Sequence, residues 1–180
     1  DQGMIVVNVE GNDNCNLNFK EGWNLFSFCS KLQDINLQNI FSPLAGKYRY
    51  IMKWDKSKQG FDIYSAEASE KPFTILNDNE SYFIYIYEPA DLNVLGSEAG
   101  LETRNLTQGW TTPGYPYRIS RVIETMYSLI MSDLRYIMKW NASNQEFEIY
   151  SKEASEKPFH ELNQGEGQFI YMFDNLTLQY

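Results

Sequence analysis

The chain has 180 residues, a formal net charge of -9 and a sequence pI near 4.6. No run of Lys or Arg offsets this charge, so binding to nucleic-acid phosphates or to an anionic membrane surface is disfavoured. Aromatic residues make up 16% of the chain and include 13 Tyr, a composition that favours sheet over a helical bundle. We therefore expect a β-dominated protein of the α+β class that does not bind nucleic acid.

The first 14 residues are predicted to form an amino-terminal β-segment. The chain begins at Asp1 rather than Met, so we expect a processed or excised piece of a longer protein. The apolar run in this segment is too short for a signal sequence or a membrane span. We predict a strand that either completes its own unit or adds to a sheet edge of a neighbouring chain. The apolar residues of this candidate assembly strand are Met4, Ile5, Val6, Val7 and Val9.

The next two segments predict a β-hairpin. Cys15–Phe19 alternates polar and apolar side chains, residues 20–22 supply a turn, and residues 23–29 continue with strand-forming residues. On facing strands Cys15 and Cys29 become diagonal neighbours, so a disulfide is the natural interpretation, and two buried free thiols in a cytosolic protein are the alternative. A structural zinc site is not expected, because the chain has no further Cys and only one His.

A short helix is predicted after this hairpin, capped by Asp34 and closed by Pro43. Its apolar face would contain Leu32, Ile35, Ile40, Phe41 and Leu44. A second helix is predicted over residues 121–131, just after Ser120. Its apolar face would contain Val122, Met126, Leu129 and Ile130.

A long stretch of sequence occurs twice. Residues 48–73 and 134–159 are identical at 19 of 26 positions, at an offset of 86. Each copy has a strand of alternating large residues, a polar turn and a second alternating strand, which together predict a hairpin. In the first copy the large residues on one face of the first strand would be Tyr48, Tyr50, Met52 and Trp54. We expect a tandem duplication, whose activity is either performed twice or determined by what differs between the copies.

The most apolar run of each copy, at residues 82–87 and 168–173, predicts a central strand covered on both faces. The predicted organisation is two units of antiparallel β-hairpins, each with one short helix. The predicted bounds are 1–14 for the amino-terminal segment, 15–96 for the first unit, 97–104 for a linker and 105–180 for the second unit.

Three motifs resemble a repeat module of archaeal and other prokaryotic exported proteins. They are residues 22–27 (Gly-Trp-Asn-Leu-Phe-Ser), the aromatic strand that ends at Trp54-Asp55, and residues 80–85 (Glu-Ser-Tyr-Phe-Ile-Tyr). The module has Gly-Trp-Asn-Leu-Ile/Val-Ser, then a strand ending in Trp/Tyr-Asp, then Gly-x-Gly-Tyr-Trp/Phe-Ile. The second copy departs from it at residues 109–112 and the first at residues 80–81. The resemblance covers most of both copies and implies a surface-layer-associated, adhesive or secreted protein without catalytic residues.

No catalytic, cofactor or metal site is predicted. His160 has no Ser or Cys partner in a recognisable motif. The oxygen-rich runs at residues 12–14 and 77–80 could hold calcium, but such runs are more often plain turns. Trp54 and Trp140 could form a stacking platform for sugars, although their period-two placement favours core packing.

Four N-glycosylation sequons occur, at Asn79, Asn105, Asn141 and Asn175. Asn79 and Asn141 fall in predicted turns, where a glycan could be accommodated.

These patterns predict a non-catalytic structural or adhesive protein located outside the cell or at its surface. In its sharper form the hypothesis is a self-assembling surface or filament subunit, with further copies, other cell-surface components and glycans as partners. The alternative is a carbohydrate-binding module that uses aromatic faces. Aromatic side chains in a row on an open face would favour sugar binding, whereas an exposed sheet edge filled by residues of another chain would favour assembly.

Overall fold

The computed structural model describes residues 14–100 and 103–179, which form a β-dominated protein of antiparallel sheets. The predicted assembly strand at residues 4–9 lies outside the described residues. The first unit contains β1 (Cys15–Phe19), β2 (Gly22–Ser27), β3 (Lys31–Leu32), α1 (Leu37–Ile40), a 3₁₀ turn (Ser42–Leu44), β4 (Tyr48–Asp55), β5 (Gly60–Ser65), β6 (Ser81–Ile86), β7 (Ala90–Val94) and β8 (Gly96–Ser97). The second contains β9 (Thr103–Leu106), β10 (Gly109–Thr111), β11 (Arg121–Val122), α2 (Ile123–Met126), β12 (Leu134–Asn141), β13 (Glu146–Tyr150), β14 (Glu161–Leu162), β15 (Phe169–Met172) and β16 (Leu176–Gln179).

Each unit is built around a four-stranded sheet of the same strand order. The order is β2-β6-β4-β5 in the first unit and β10-β15-β12-β13 in the second. A two-stranded ribbon, β1-β7 or β9-β16, accompanies each sheet. The predicted hairpins β4-β5 and β12-β13 and the predicted central strands β6 and β15 are confirmed.

The predicted hairpin between Cys15–Phe19 and residues 23–29 is wrong. Strand β1 pairs with β7, so that Cys15 lies opposite Val94, and β2 pairs with β6. Alternation specifies which face of a strand is buried but not which strand it pairs with. Between β1 and β2, the Asn24 side chain donates to the carbonyls of Lys20 and Gly22 and accepts from the Lys20 amide, and this closes a loop rather than a hairpin turn.

The predicted disulfide is confirmed, with Cys15 and Cys29 bonded at an S–S distance of 2.02 Å. Both cysteines are buried. The bridge joins the start of β1 to the chain just after β2, and therefore links the ribbon of the first unit to its four-stranded sheet.

The first predicted helix is shorter than expected and has a different cap. Asn36, not Asp34, caps α1, because its side-chain oxygen accepts from the amides of Gln38 and Asn39. The Asp34 carboxylate accepts from the Asn36 amide and from the Asn39 side chain, and the Asn36 amide is the main reason that its pKa is lowered. Pro43 lies inside the 3₁₀ turn that follows α1.

The second predicted helix is limited to four residues, Ile123–Met126. The chain before it is extended, because Arg121 and Val122 pair with Leu162 and Glu161. The expected apolar face is half right, since Ile130 is buried and Met126 packs against the core, whereas Val122 is exposed and Leu129 is 87% exposed. Ile123 and Tyr127, which were not in the predicted face, enter the core together with Ile130. Ser120 caps no helix, and its hydroxyl donates to the Asn163 side chain.

The long strand β4 does not carry its large residues on one face. The register shifts between Tyr48 and Tyr50, which forms a bulge, and β12 has the corresponding shift between Leu134 and Tyr136. Tyr48 therefore packs in the core of the first unit with Ile51, whereas Met52 and Trp54 pack against a separate apolar cluster.

The two cores each contain a buried, hydrogen-bonded tyrosine hydroxyl, but on different elements. In the first unit the buried Tyr82 hydroxyl accepts from the Asn77 amide at 2.8 Å and lies 3.0 Å from the Glu80 carboxylate. The corresponding residue 86 positions later is Gln168, whose side-chain oxygen accepts from the Tyr127 hydroxyl at 2.7 Å. Phe41 occupies the position equivalent to Tyr127. The buried hydroxyl has thus moved from the central strand to the helical segment.

We expect the Cys15→Ala/Cys29→Ala variant to lose about 3 kcal/mol of unfolding free energy, because the bridge closes a short loop in the unfolded chain. Denaturant unfolding of the oxidised protein and the variant measures the difference. Reductant should lower the midpoint of the native protein and leave the variant unchanged. Equal midpoints for the oxidised protein and the variant would contradict a stabilising bridge.

Alkaline pH should destabilise the fold through its buried tyrosines. Burial raises the pKa of Tyr82, and burial raises the pKa of Tyr48 to about 12. The stabilising contribution of each is therefore complete below the unfolded-state pKa near 10 and is lost as the pH rises towards the folded-state value. The free energy of unfolding should fall from about pH 10 upward.

The slope of this fall should be smaller in Tyr82→Phe than in the native protein. Tyr87→Phe, which changes an exposed tyrosine, is the matched control and should keep the native slope. A Tyr82→Phe slope equal to the native one would show that Tyr82 is not responsible.

Candidate functional site

The two four-stranded sheets pack against each other along an apolar seam. Leu25, Phe83 and Phe169 are buried at its centre, and the Phe83 and Phe169 rings lie 6.1 Å apart. The partly buried side chains packed around them are Trp23, Met52, Trp54, Trp110, Met138 and Trp140. The face of each sheet that points away from its own core is thus covered by the other unit at its centre, around Phe83 and Phe169.

Two tryptophans bond across the seam in a reciprocal way. The Trp54 indole nitrogen donates to the Trp110 carbonyl at 3.0 Å, and the Trp140 indole nitrogen donates to the Trp23 carbonyl at 2.8 Å. Trp54 and Trp140 are therefore packed and hydrogen-bonded at the seam, the arrangement that their period-two placement favoured over an open stacking platform.

Two glutamines complete these contacts. The Gln145 side chain accepts from the Trp23 amide at 2.8 Å and donates to the Trp23 carbonyl at 3.0 Å. The Gln59 side chain makes the same pair of bonds with Trp110, at 3.0 and 3.2 Å. Each glutamine lies in a turn at positive φ, 48° for Gln59 and 56° for Gln145. Each side chain thus forms hydrogen bonds with the amide and carbonyl of an edge strand, as a neighbouring strand would.

The glycine before each of Trp23 and Trp110 makes room for this contact. Gly22 and Gly109 have φ values of 91° and 87°, in the region that favours glycine. A Cβ on Gly22 would lie 2.6 Å from the Gln145 side-chain oxygen, and a Cβ on Gly109 would lie 3.0 Å from that of Gln59. Glycine at both positions is therefore favoured by the left-handed backbone and by the close approach of the other unit's glutamine.

The backbone also joins the two units, again reciprocally. The Ser27 amide donates to the Gly165 carbonyl at 3.0 Å, and the Gly114 amide donates to the Asn79 carbonyl at 2.8 Å. The Ser27 hydroxyl accepts from the Tyr115 amide at 3.0 Å. Direct hydrogen bonds between backbones fix the units in one relative position.

A polar cleft of about 490 Å³ opens beside the seam. Strand β1 and the loop after it form one wall, and the end of β12 with the turn before β15 forms the other. Its hydrogen-bonding side chains belong to Asn16, Asn18, Lys20, Asn24, Lys139, Asn141, Ser143, Glu148, Gln164 and Glu166, and the ring of Trp140 adjoins them. We call this the larger cleft.

A second cleft of about 210 Å³ occupies the corresponding place on the other side. Strand β9 and the turn before β6 line it, with Asn79, Glu80, Arg104 and Asn105 among its residues. We call this the smaller cleft. The two clefts are built from equivalent parts of the repeat and differ in side chains.

Three substitutions explain the difference in size. Lys56 donates to the Asn105 carbonyl at 3.3 Å and so crosses the smaller cleft, whereas the equivalent residue of the larger cleft is Ala142. Asn79 in the turn is replaced by Gly165, and the buried Arg104 by Leu17. Each change places a smaller side chain in the larger cleft.

Both turns carry an ion pair. Lys139 lies 3.2 Å from Glu166, and Lys53 lies 3.0 Å from Glu80. In the larger cleft the Glu148 carboxylate also accepts from the side-chain NH₂ of Asn141 at 2.9 Å. These bonds hold the charged side chains of its wall in place.

An aromatic row extends each sheet face beyond the seam. In the first unit the rings of Trp23, Tyr85 and Tyr87 follow one another at 5.2 and 6.0 Å. In the second unit the corresponding rings are those of Trp110, Tyr171 and Phe173 at 5.1 and 6.3 Å. Arginines lie over neighbouring rings, Arg49 at 4.9 Å from Tyr50 and Arg135 at 5.0 Å from Tyr136. Tyr87 and Phe173, at the open ends, are 47% and 45% exposed.

The described ranges contain no group of three or more His, Cys, Asp or Glu that could hold a metal ion. His160 is exposed, and its carbonyl accepts from the Ile123 amide at the start of α2. The oxygen-rich run at residues 77–80 forms a turn, in which the Asn77 side chain accepts from the Asn79 amide. The run at residues 12–14 lies almost wholly outside the described residues.

The four sequons differ in exposure. Asn105 and Asn175 are exposed, and their side-chain oxygens accept from the Thr177 hydroxyl and the Gln108 amide. Asn79 and Asn141, in the predicted turns, are only partly exposed, and each lines one of the clefts. Glycosylation stays a prediction at all four, with the most open access at Asn105 and Asn175.

Comparison with protein-family models, with curated proteins and with solved structures found no significant match to the chain. The resemblance to a repeat module of exported proteins therefore stays a prediction. Helices with the length and apolarity of a membrane span are not found in the described parts of the chain.

We expect Gln145→Ala and Gln59→Ala each to lower the free energy of unfolding by about 1–2 kcal/mol, because each leaves the amide of a tryptophan without its partner. Gln33→Ala is the matched control, since Gln33 is an exposed glutamine away from the seam. Denaturant unfolding measures all three variants. Equal losses in Gln33→Ala and Gln145→Ala would show that the contact adds nothing to stability.

Proposed function

We propose that the protein is a non-catalytic structural or adhesive protein of the cell surface, built by tandem duplication of one unit and able to self-associate through open sheet edges. The observation that carries the proposal is that the two four-stranded sheets each have one edge in contact with the other unit and one edge without a strand partner. The edges formed by β2 and β10 contact the other unit through Gln145 and Gln59. Among the described residues, the outer edges of β5 and β13 have no strand partner.

The open edges are apolar. Ile63 on β5 is 51% exposed and Ile149 on β13 is 49% exposed, beside partly covered Phe61 and Phe147. Unpaired backbone groups next to apolar side chains form a template for another strand. Strand β5 has six residues and β13 has five, lengths that the apolar run at residues 4–9 matches.

Repeated addition of that run to the next copy would be a head-to-tail contact that does not close, which is how filaments grow. The Cys15–Cys29 bridge supports an oxidising location outside the cell. The reciprocal hydrogen bonds of the seam suit a mechanical role, because they hold the two units as one body.

The test compares the full chain with three variants by light scattering and negative-stain electron microscopy. The full chain should form open-ended assemblies. Deletion of residues 1–10 and the variant Ile63→Lys/Ile149→Lys should both give folded monomers, because one removes the added strand and the other places charges on the open edges. Ile35→Lys, at an equally exposed isoleucine away from these edges, should assemble as the native chain does.

A monomeric full chain at high protein concentration would refute assembly. Equal loss of assembly in Ile35→Lys would show that an added lysine prevents assembly wherever it is placed. Strands β5 and β13 would then have no specific role in assembly. Unfolding of the first unit on deletion of residues 1–10 would assign the apolar run to its own unit.

A further inference from the structure

We propose that the larger cleft binds a short neutral oligosaccharide. This inference goes beyond the structural role proposed above and does not depend on self-association. It starts from the comparison of the two clefts, because they are equivalent in backbone and differ in what fills them. Lys56 crosses the smaller cleft to the Asn105 carbonyl, and the equivalent Ala142 makes no such crossing in the larger cleft, where the two walls are joined by the bond from Lys20 to the Ser143 hydroxyl.

The size of the larger cleft is appropriate for a small ligand. Its volume of about 490 Å³ lies within the range of about 300–1,000 Å³ that is usual for ligand sites. Its walls come from both units and are held together by the backbone bonds from Ser27 to Gly165 and from Gly167 to Leu25. The site therefore exists before a ligand binds, which reduces the entropic cost of binding.

The charges of the cleft favour a neutral ligand. Two lysines, Lys20 and Lys139, are balanced by two carboxylates, Glu148 and Glu166. Lys139 is paired with Glu166, and Lys20 donates to the Ser143 hydroxyl. A charged ligand would gain no net attraction in the cleft, and the surrounding protein, at a net charge of -9, would repel an anion.

The remaining groups are suited to hydroxyls. Within the described part of the chain, the side chains of Asn18 and Gln164 make no hydrogen bond, although both line the cleft. An amide side chain offers two donors and one acceptor, which match sugar hydroxyls. The Trp140 ring provides an adjoining apolar surface, and its bond to the Trp23 carbonyl fixes its position. The lining is more polar than that of most small-molecule sites, which are mainly apolar, and this favours a ligand rich in hydroxyls.

The experiment titrates the full chain, expressed in a host that does not N-glycosylate it, with maltose, lactose, mannobiose and chitobiose, using saturation-transfer NMR and calorimetry. Glucuronic acid is the charged comparison. At least one neutral disaccharide should bind saturably, and more tightly than glucuronic acid. Asn18→Ala, at an exposed position that cannot affect folding strongly, should weaken binding about fivefold. Ala142→Lys, which copies the smaller cleft, should weaken it about tenfold or more.

Two variants are controls. Lys56→Ala in the smaller cleft and Tyr87→Ala at the end of the aromatic row should both bind as the native chain does. Thermal unfolding of each variant verifies that it is folded. Failure of all four disaccharides to bind would overturn the proposal, as would native affinity in both Asn18→Ala and Ala142→Lys. Loss of binding in Tyr87→Ala alone would place the sugar on the aromatic row and equally overturn a site in the cleft.

Discussion

The contact between each Gly-Trp pair and a glutamine of the other unit is the interaction on which the rest of the structure depends. A β-strand at the edge of a sheet has backbone groups that require partners, and here a side chain from a left-handed turn provides them. Because the contact occurs twice, the outer faces of both sheets are brought together. The buried aromatic seam and the two clefts beside it follow from this placement.

The two units are more alike at the seam than in their cores and clefts. Residues that bond across it, such as Trp54 and Gln59, have identical counterparts in the second copy. The cores behind the sheets have no such constraint, and the exchange of Phe41 and Tyr82 for Tyr127 and Gln168 shows how a hydroxyl can move while remaining bonded. The clefts differ more, since Lys56 crosses the smaller one and its counterpart in the larger one is Ala142, beside a different lysine contact from Lys20 to Ser143.

Local patterns in the sequence were sufficient for part of this fold. The alternation and turns of residues 48–64 predicted the hairpins correctly, because a short polar turn leaves adjacent strands little choice of partner. Strand β1 could not be assigned in this way, since its partner β7 lies more than 70 residues away and local alternation carries no information about it. The helices were overestimated because apolar spacing near Ile123 also suits a short strand followed by a single turn.

The cleft and the glutamine contacts were not predicted, because both depend on how two units meet. A signal was nevertheless present in the repeat. In the turns at residues 55–60 and 141–146, only Ser and Gln are identical between the copies. Ser57 and Ser143 use their amides within the turn, but Gln59 and Gln145 reach across to the other unit. A residue retained in an otherwise variable turn thus indicated a distant contact.

The apolar face of each four-stranded sheet has a consequence for a unit on its own. Separated from its neighbour, the first unit would expose Leu25, Met52 and Phe83 to water, and the turn at Gln59 would have no strand to contact. Since each unit carries both the Gly-Trp pair and the glutamine, two copies of one unit have all the groups needed to form the same seam with two-fold symmetry. Joining them in a single chain replaces a concentration-dependent dimer with an intramolecular contact, so that the seam persists at any dilution.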